Sequence, residues 1–553
     1  MSNDKNKNTG GMNSNNSKAT YDTIIIGAGI AGLTAALELA KADKQVLILD
    51  AQDETKVGGL ARSAFGGMAL IGTPEQKRSN IIDSPAIALK DWHDFAHFSQ
   101  DDIFPKQWAK LYVESSYQAI YHYVKDLGVK FLPAVNWVER GLYSGGNSVP
   151  RYHVIWGTSL ELVNKMLLAI APFKNKNIHF NFNCKVNKLI KSDEAVIGCQ
   201  DANSNLYFAD NTIVASGGFT GNLAKVKAHW PKHFSPAPEN LLNGTHPSCD
   251  GAMHDEVNSI GGNLTHLDKM WNYAAGIPHP KATFNQQGLS LIPCKSALWL
   301  DSNGKRIGPA PMVTGFDTHE LCRRMSEQTD GYAWQVLNWK IASKEFAVSG
   351  AEHNPMIRDK KLFTMLKETL LGNHRLVKQM QNECDHFIVA NTVSELTNKM
   401  NALTQSNRVN TETLQQTLNN YDAILSRPPS QWNDDQIRRI EHARKWKTDK
   451  LRTCKPHPIQ DKKHGPFIAI KVSLISRKSL GGIQTNLNSQ VIDSNALPMK
   501  GLYAVGEASG FGGGGSNGEK SLEGTFLAGC ILTAQQAAKH INNLTSINTQ
   551  ETK

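Results

Sequence analysis

The residues able to do chemistry fall into three groups. The first is Gly27-Ala28-Gly29-Ile30-Ala31-Gly32. In this spacing Gly27 permits a tight turn, Gly29 lets the backbone approach a pyrophosphate, and Gly32 lets a helix lie close to a sheet. Asp50, at the end of the next apolar run, is placed to accept hydrogen bonds from a ribose. The second group, Gly58-Gly59-Leu60-Ala61-Arg62-Ser63-Ala64-Phe65-Gly66-Gly67-Met68, is small and flexible enough to follow a flat ligand with its backbone N–H groups, or to be a surface loop. The third is polar: Arg151-Tyr152-His153 and Ser476-Arg477-Lys478-Ser479. Arg151 can bind an oxyanion, and Tyr152 or His153 can donate or relay a proton. Arg477 and Lys478 suit oxyanion binding, a proton path or plain surface charge.

Secondary structure must place these groups. Ile24-Ile25-Ile26 reads as a buried parallel strand, Leu33 to Ala40 as a packed helix, and Val46 to Leu49 as a second strand ending at Asp50. Strand, glycines, helix, strand and acid agree on dinucleotide binding. Pro85 to Gly128 is helical in pattern, and Thr158 is expected to cap a helix starting near Leu160. Ile178 to Phe182, Cys184 to Ile190, Ala195 to Gly198 and Leu206 to Phe208 read as strands. Asn211 to Val214 returns toward Gly217-Gly218. Beyond Met270 the pattern turns irregular through Thr318, then helical from Asp330 to Phe346 and periodic from Leu403 to Leu425. Near the end, Gly501 to Glu507 reads as a strand, followed by a glycine-rich turn and a final helix opened by Ser521 to Gly529, whose N-terminus favours negative charge.

Composition narrows the class. The chain has 553 residues, 40% hydrophobic and 20% charged, as expected of a folded protein with more than one domain. Sixty basic against 50 acidic residues give +10, a small excess for this length that does not argue for nucleic acid. The basic stretch Asn433 to Lys450 is interspersed with acids and reads as a solvated helix face. Eight scattered cysteines without CxxC suit a reducing, cytoplasmic setting. The histidines form no compact sequence motif, so no metal is expected. Residues 1–20 read as a disordered leader, and no apolar run is long enough for a membrane span.

GAGIAG, Gly58 to Met68, Gly217-Gly218 and the Gly506-Glu507 return resemble the FAD-binding type 2 superfamily of fumarate reductase and 3-ketosteroid Δ1-dehydrogenase flavoproteins, closest to its ketosteroid-dehydrogenase-like branch. The resemblance implies an α/β fold with an α+β insertion. A Rossmann-like FAD-binding domain would be split in sequence: residues 21–270, an inserted capping and substrate domain at 271–460, a return segment at 461–540, and a polar tail at 541–553. It implies noncovalent FAD, because the segment Leu60 to Phe65 lacks the histidine that attaches flavin in relatives. Gly27, Gly29 and Gly32 would meet the pyrophosphate, and Asp50 and Ala51 the adenosine ribose. Gly58, Gly59, Ser63, Gly66 and Gly67 would follow the flavin, with Val186, Ala215 and Gly217 at the nucleotide. Glu507 would meet the ribityl chain, and Leu522, Gly524, Thr525 and Phe526 the ring.

The implied activity is oxidoreduction at a CH–CH bond beside a carbonyl, in a hydrophobic or cyclic, ketosteroid-like ketone. Arg151, Tyr152, His153, Arg477 and Lys478 are the catalytic candidates. The sequence departs from both parent patterns. Arg477 and Lys478 stand where fumarate reductases have a histidine. Gly465-Pro466-Phe467-Ile468-Ala469, matched to the substrate wall of steroid dehydrogenases, has Ile468 in place of an aromatic hydroxyl. An enoate or fumarate-type reductase is therefore the alternative, and an electron-transfer or partner-binding flavoprotein subunit a third reading. The partners expected are a small-molecule substrate and an electron acceptor or donor, with no nucleic acid.

Overall fold

The computed structural model describes residues 21–551, with side chains through Leu544; the leader expected at 1–20 lies outside the described residues. Two large sheets organise the chain. In the first, the strand Tyr21–Ile26 lies between Val46–Leu49 and Leu206–Val214, all parallel, with Ile178–Asn181 beyond one neighbour and Pro498–Ala504 beyond the other. Its inner positions are continuous apolar runs, as a sheet covered on both faces requires: Ile24, Ile25, Val46, Ile48 and Ile213 are fully buried. The helix Ile30–Ala40 packs on one face against the final helix, Thr525–Glu551. That helix runs through the segment expected to be a polar tail. An antiparallel ribbon, Val186–Ser192 and Ala195–Asp201, extends from Leu206–Val214, as the sequence pattern suggested.

The second sheet is built around the 13-residue strand Phe467–Ser479. It pairs antiparallel with Tyr332–Asn338 and Met270–Pro278, and at its start with Phe387–Ala390. The sheet thus takes strands from both sides of residue 460. Helices Thr318–Ser326, Trp339–Glu345, His374–Glu383, Val393–Thr404, Thr411–Leu425 and Asp435–Ala443 pack around it over one large apolar core containing Trp299, Trp334 and Ile470.

Two local expectations change. The helical pattern from Asp330 to Phe346 is half strand: Tyr332–Asn338 is buried throughout, and only Trp339–Glu345 is helical. A run of aromatic and apolar residues buried on both faces does not reveal its period. The helix near Leu160 begins earlier, at Thr158 after left-handed Gly157, and the Thr158 hydroxyl donates to the Gly157 carbonyl at 2.6 Å while accepting from Leu160 N–H at 3.4 Å.

Candidate active site

A cavity of about 1060 Å³ runs between the two sheets. Drug-sized sites span roughly 300–1,000 Å³, so this one has room for a large cofactor. One end is made of backbone. Gly27 turns at φ 113°, and a Cβ there would lie 2.5 Å from the Ala215 carbonyl oxygen; a Cβ on Gly32 would lie 2.0 Å from that of Gly27. A Cβ on Gly29 would meet nothing within 4 Å among the described residues. The helix Ile30–Ala40 starts there without a side-chain cap, so its first-turn amides remain open toward the cavity. Asp50 ties the turn to the second strand: Ala28 N–H donates to its Oδ2 at 2.6 Å and Gln52 N–H to its Oδ1 at 2.8 Å. Ala51, Gly58, Gly59, Ser63, Gly66, Gly67, Val186, Ala215 and Gly217 continue the same lining. Bare amides at a helix N-terminus, an unobstructed glycine and an acid at the second strand fit a dinucleotide.

The other end is made of side chains from distant segments. Glu523, on the turn before the final helix, accepts hydrogen bonds from Trp271 Nε1 and Tyr273 Oη, both at 2.9 Å. Burial, then the charge of Glu523, raises the Tyr273 phenol well above its usual range. The Arg477 guanidinium sits 5.4 Å from the Tyr273 ring centre and donates to the Gly244 carbonyl at 2.8 Å, while its buried Nε has no partner among the described residues. Next along the strand, the Lys478 ammonium lies 4.2 Å from the Phe526 ring centre. Burial, then Arg477, pushes it down to about 8. Tyr152 also lines this end, its ring covering Gly67 so closely that a Cβ there would overlap it. Glu507 joins the two ends, its Oε1 accepting from Ser479 N–H at 3.0 Å.

Several sequence candidates are elsewhere. Arg151 is buried in an ion-pair cage, with Nε and Nη2 each 2.8 Å from Asp83 and Nη1 2.6 Å from Asp91. Its donors are committed and it does not line the cavity. His153 is fully buried, with Nδ1 2.7 Å from the Arg151 carbonyl oxygen and Nε2 2.8 Å from Thr73 Oγ1. Burial pushes it down to about 4. The cause is the strand Tyr152–Val154, along which neighbours point to opposite faces, so Tyr152 reaches the cavity and His153 the core behind it. In the return segment Phe526 lines the cavity, while Leu522, Gly524 and Thr525 are not among its lining residues. Leu522 packs into an apolar cluster, the Gly524 carbonyl accepts from Ala69 N–H, and the Thr525 hydroxyl donates to Asn517. Gly32 lies behind the turn, where it sets helix packing. The segment Gly465 to Ala469 is not a substrate wall: Ile468 pairs with Leu337 and Val389 inside the second core, at the far end of the strand from Arg477.

Three cavity residues escaped the sequence reading. Tyr273 lies in an apolar strand with no polar motif around it. Glu523 follows Glu519 and Lys520 in the same polar, glycine-containing turn, so no local signal sets it apart. Glu139 is buried, accepts from Thr318 N–H at 3.0 Å, and is pushed up to about 8 by burial.

This arrangement, a parallel dinucleotide sheet with a second sheet closing a shared cavity, defines a flavoprotein fold. The chain matches the FAD binding domain family over residues 22–527 and belongs to it. It is 37% identical to the KsdD-like steroid dehydrogenase of Mycobacterium tuberculosis over 94% of this chain and 95% of that one. A KsdD-like steroid dehydrogenase of Mycolicibacterium smegmatis is 34% identical, over 92% and 96%. The 3-ketosteroid Δ1-dehydrogenase of Sterolibacterium denitrificans, solved with 1,4-androstadiene-3,17-dione, has the same fold, with a TM-score of 0.70 at 15% identity over 95% of this chain and 99% of that one. The protein is an FAD-dependent oxidoreductase that binds its cofactor noncovalently. No described helix is long and apolar enough to cross a membrane.

Proposed function

We propose that the protein dehydrogenates a hydrophobic, ketosteroid-like cyclic ketone at the CH–CH bond beside its carbonyl. The observation that carries this reading is the juxtaposition of Arg477 and Lys478 with the Tyr273–Glu523 pair at the end of the cavity opposite the glycine turn. Gly27, Gly29 and the first-turn amides would hold the FAD pyrophosphate, and Asp50 with Ala51 the adenosine ribose. Val186, Ala215 and Gly217 would line the nucleotide. Glu507 would meet the ribityl chain, and Gly58, Gly59, Ser63, Gly66, Gly67 and Phe526 the ring system. Bound there, FAD supplies the hydride acceptor.

The chain supplies the rest. Arg477 and Lys478 offer positive charge where a carbonyl oxygen becomes an enolate, in a site whose burial strengthens that interaction. Tyr273 Oη takes the proton from the carbon beside the carbonyl as its own proton passes to Glu523 Oε2, and Trp271 Nε1–H keeps that carboxylate aligned. The Tyr273–Glu523 pair thus takes one proton, and the bound FAD would accept the accompanying hydride, which leaves a conjugated double bond in the product. Ala274, Ala275, Leu291 and Met365 give the cavity the apolar surface such a ketone requires.

The test is an anaerobic titration of the holoprotein with 3-ketosteroids and smaller cyclic ketones. Bleaching of the oxidised flavin, with a new double bond in the product, is the expected result. A flavin untouched by the whole panel overturns the reading.

One observation favours a second reading. Neither Arg477 nor Lys478 is ion-paired to a carboxylate among the described residues, so together they suit the carboxylate of an enoate reduced in the opposite direction. Reoxidation of the reduced holoprotein by enoates, and not by enones, would establish it. Either direction needs an electron acceptor or donor to complete turnover. All eight cysteines are unpaired, which supports a cytoplasmic setting.

A further inference from the structure

His233, His319 and Glu519 come together although no sequence spacing connects them. His233 lies in the loop before the second sheet, His319 in the first turn of the helix Thr318–Ser326, and Glu519 between the glycine-rich turn and the final helix. His233 Nε2 is 3.1 Å from His319 Nε2 and 3.1 Å from Glu519 Oε1, and His319 Nε2 is 3.2 Å from the same oxygen. The three donor atoms therefore form a nearly equilateral triangle. Ligands at about 2.0–2.1 Å from a tetrahedral zinc are separated by roughly 3.3 Å, so this triangle matches one face of that tetrahedron.

Hydrogen bonds within the protein cannot satisfy this triangle. Two neutral imidazoles offer at most two hydrogens for three edges, and each ring nitrogen is either a donor or an acceptor. At least one edge sets lone pairs, or two N–H groups, against each other. A single cation about 1 Å off the plane, at zinc-ligand distance from each atom, satisfies all three.

The surroundings suit an ion that enters from solvent and is held by the fold. The His233 side chain is 43% exposed, whereas His319 is 7% exposed. Glu519 is fixed through its backbone, its N–H donating to the Ala96 carbonyl at 2.8 Å. His97 approaches the other carboxylate oxygen, Nδ1 to Oε2 3.6 Å. The neighbouring Lys269 is paired with Asp268 at 3.3 Å.

We propose that His233, His319 and Glu519 form a divalent transition-metal site, with zinc the metal that fits the donor set. Two imidazoles and one carboxylate are borderline ligands that suit Zn²⁺ over the oxygen-seeking Ca²⁺ or Mg²⁺. The ion is not placed to touch the substrate. It links the helix that starts beside Glu139 to the turn that carries Lys520 and Glu523, a junction otherwise held by the Lys520–Asp317 ion pair at 2.8 Å. His319 and Glu519 are thereby positioning residues, and the inference stands whatever the substrate proves to be.

The test uses the untagged, full-length holoprotein stripped with a chelator and titrated with Co²⁺, then Zn²⁺. The expected result is one equivalent of Co²⁺ with tetrahedral visible bands in the difference spectrum, displaced by Zn²⁺, and a Zn²⁺-dependent rise in Tm. H233A and E519Q should each weaken Co²⁺ binding roughly tenfold or more. H233A removes an exposed ring, so its flavin absorbance and far-UV spectrum should match wild type, which separates loss of the site from loss of the fold. The proposal is overturned if the wild-type chain takes up neither metal at micromolar concentration. Binding unchanged in H233A and E519Q, which would put the metal elsewhere among the 19 histidines, overturns it too.

Discussion

The two ends of the cavity are built on different principles. The dinucleotide end consists of backbone: a glycine whose missing side chain leaves open space, a second that lets a helix touch a turn, and amides left bare by an uncapped helix. The reaction end consists of side chains from four separate segments, Tyr152, Tyr273, Arg477 with Lys478, and Glu523. Backbone recognition needs a local pattern. Side-chain chemistry needs only that the fold bring groups together, and it can be changed without disturbing the first end. Substitutions should separate the two accordingly.

The largest effect belongs to the reaction end. E523Q removes the proton acceptor and should slow substrate-dependent flavin reduction by about 10²–10⁴-fold while FAD stays bound. Stopped-flow reduction beside a flavin stoichiometry checks both halves, and loss of FAD from E523Q would show that the two ends are not separable. R151M probes a residue assigned to neither end. Leaving Asp83 and Asp91 buried without their cation should cost about 3–5 kcal/mol of stability, read by denaturant unfolding. The reduction rate per folded molecule should be unchanged; a fall would restore Arg151 to the chemistry.

At the dinucleotide end, G29A adds a methyl group where only the ligand can meet it. FAD affinity should fall roughly 10- to 100-fold, with the Tm of the apoprotein unaltered. G32A adds the same group against the Gly27 carbonyl and should lower the apoprotein Tm instead. The smallest effect is one of pH. Lys478 is cationic below about 8, so polarisation by its charge should weaken as pH rises through that value. A modest decline in reduction rate centred there, absent in K478M, is the expected profile. An unchanged profile in K478M would leave Arg477 as the only cation acting on the oxygen.

The same division explains how much of the molecule was legible from its residues. Gly27, Gly29, Gly32 and Asp50 could be read because a tight turn, a close approach and a strand end are consequences of neighbouring residues. Arg151-Tyr152-His153 looked like one cluster, yet a three-residue strand sends its middle neighbours apart, and only Tyr152 reaches the cavity. Tyr273 and Glu523 are 250 residues apart and meet through a pairing of sheet and helix that no local pattern encodes. The long strand Phe467–Ser479 had the opposite effect: a short family segment near its start was matched to the substrate wall, while the residues that reach the cavity are at its end.

The order of strands in the first sheet has a consequence for biosynthesis. The strand beginning at Tyr21 leaves the ribosome well before the segments that complete its sheet. Its neighbour Leu206–Val214 is completed by Pro498–Ala504, and the helix behind it packs on one that starts at Thr525. The glycine turn therefore waits for segments that lie far behind it in sequence before its surroundings exist. Contacts this distant in sequence form late and slowly. The nascent polypeptide thus carries an unfinished cradle until the segment from Pro498 to the final helix has emerged, and flavin should be retained by nascent chains only beyond that length, which translation arrested at successive lengths would check.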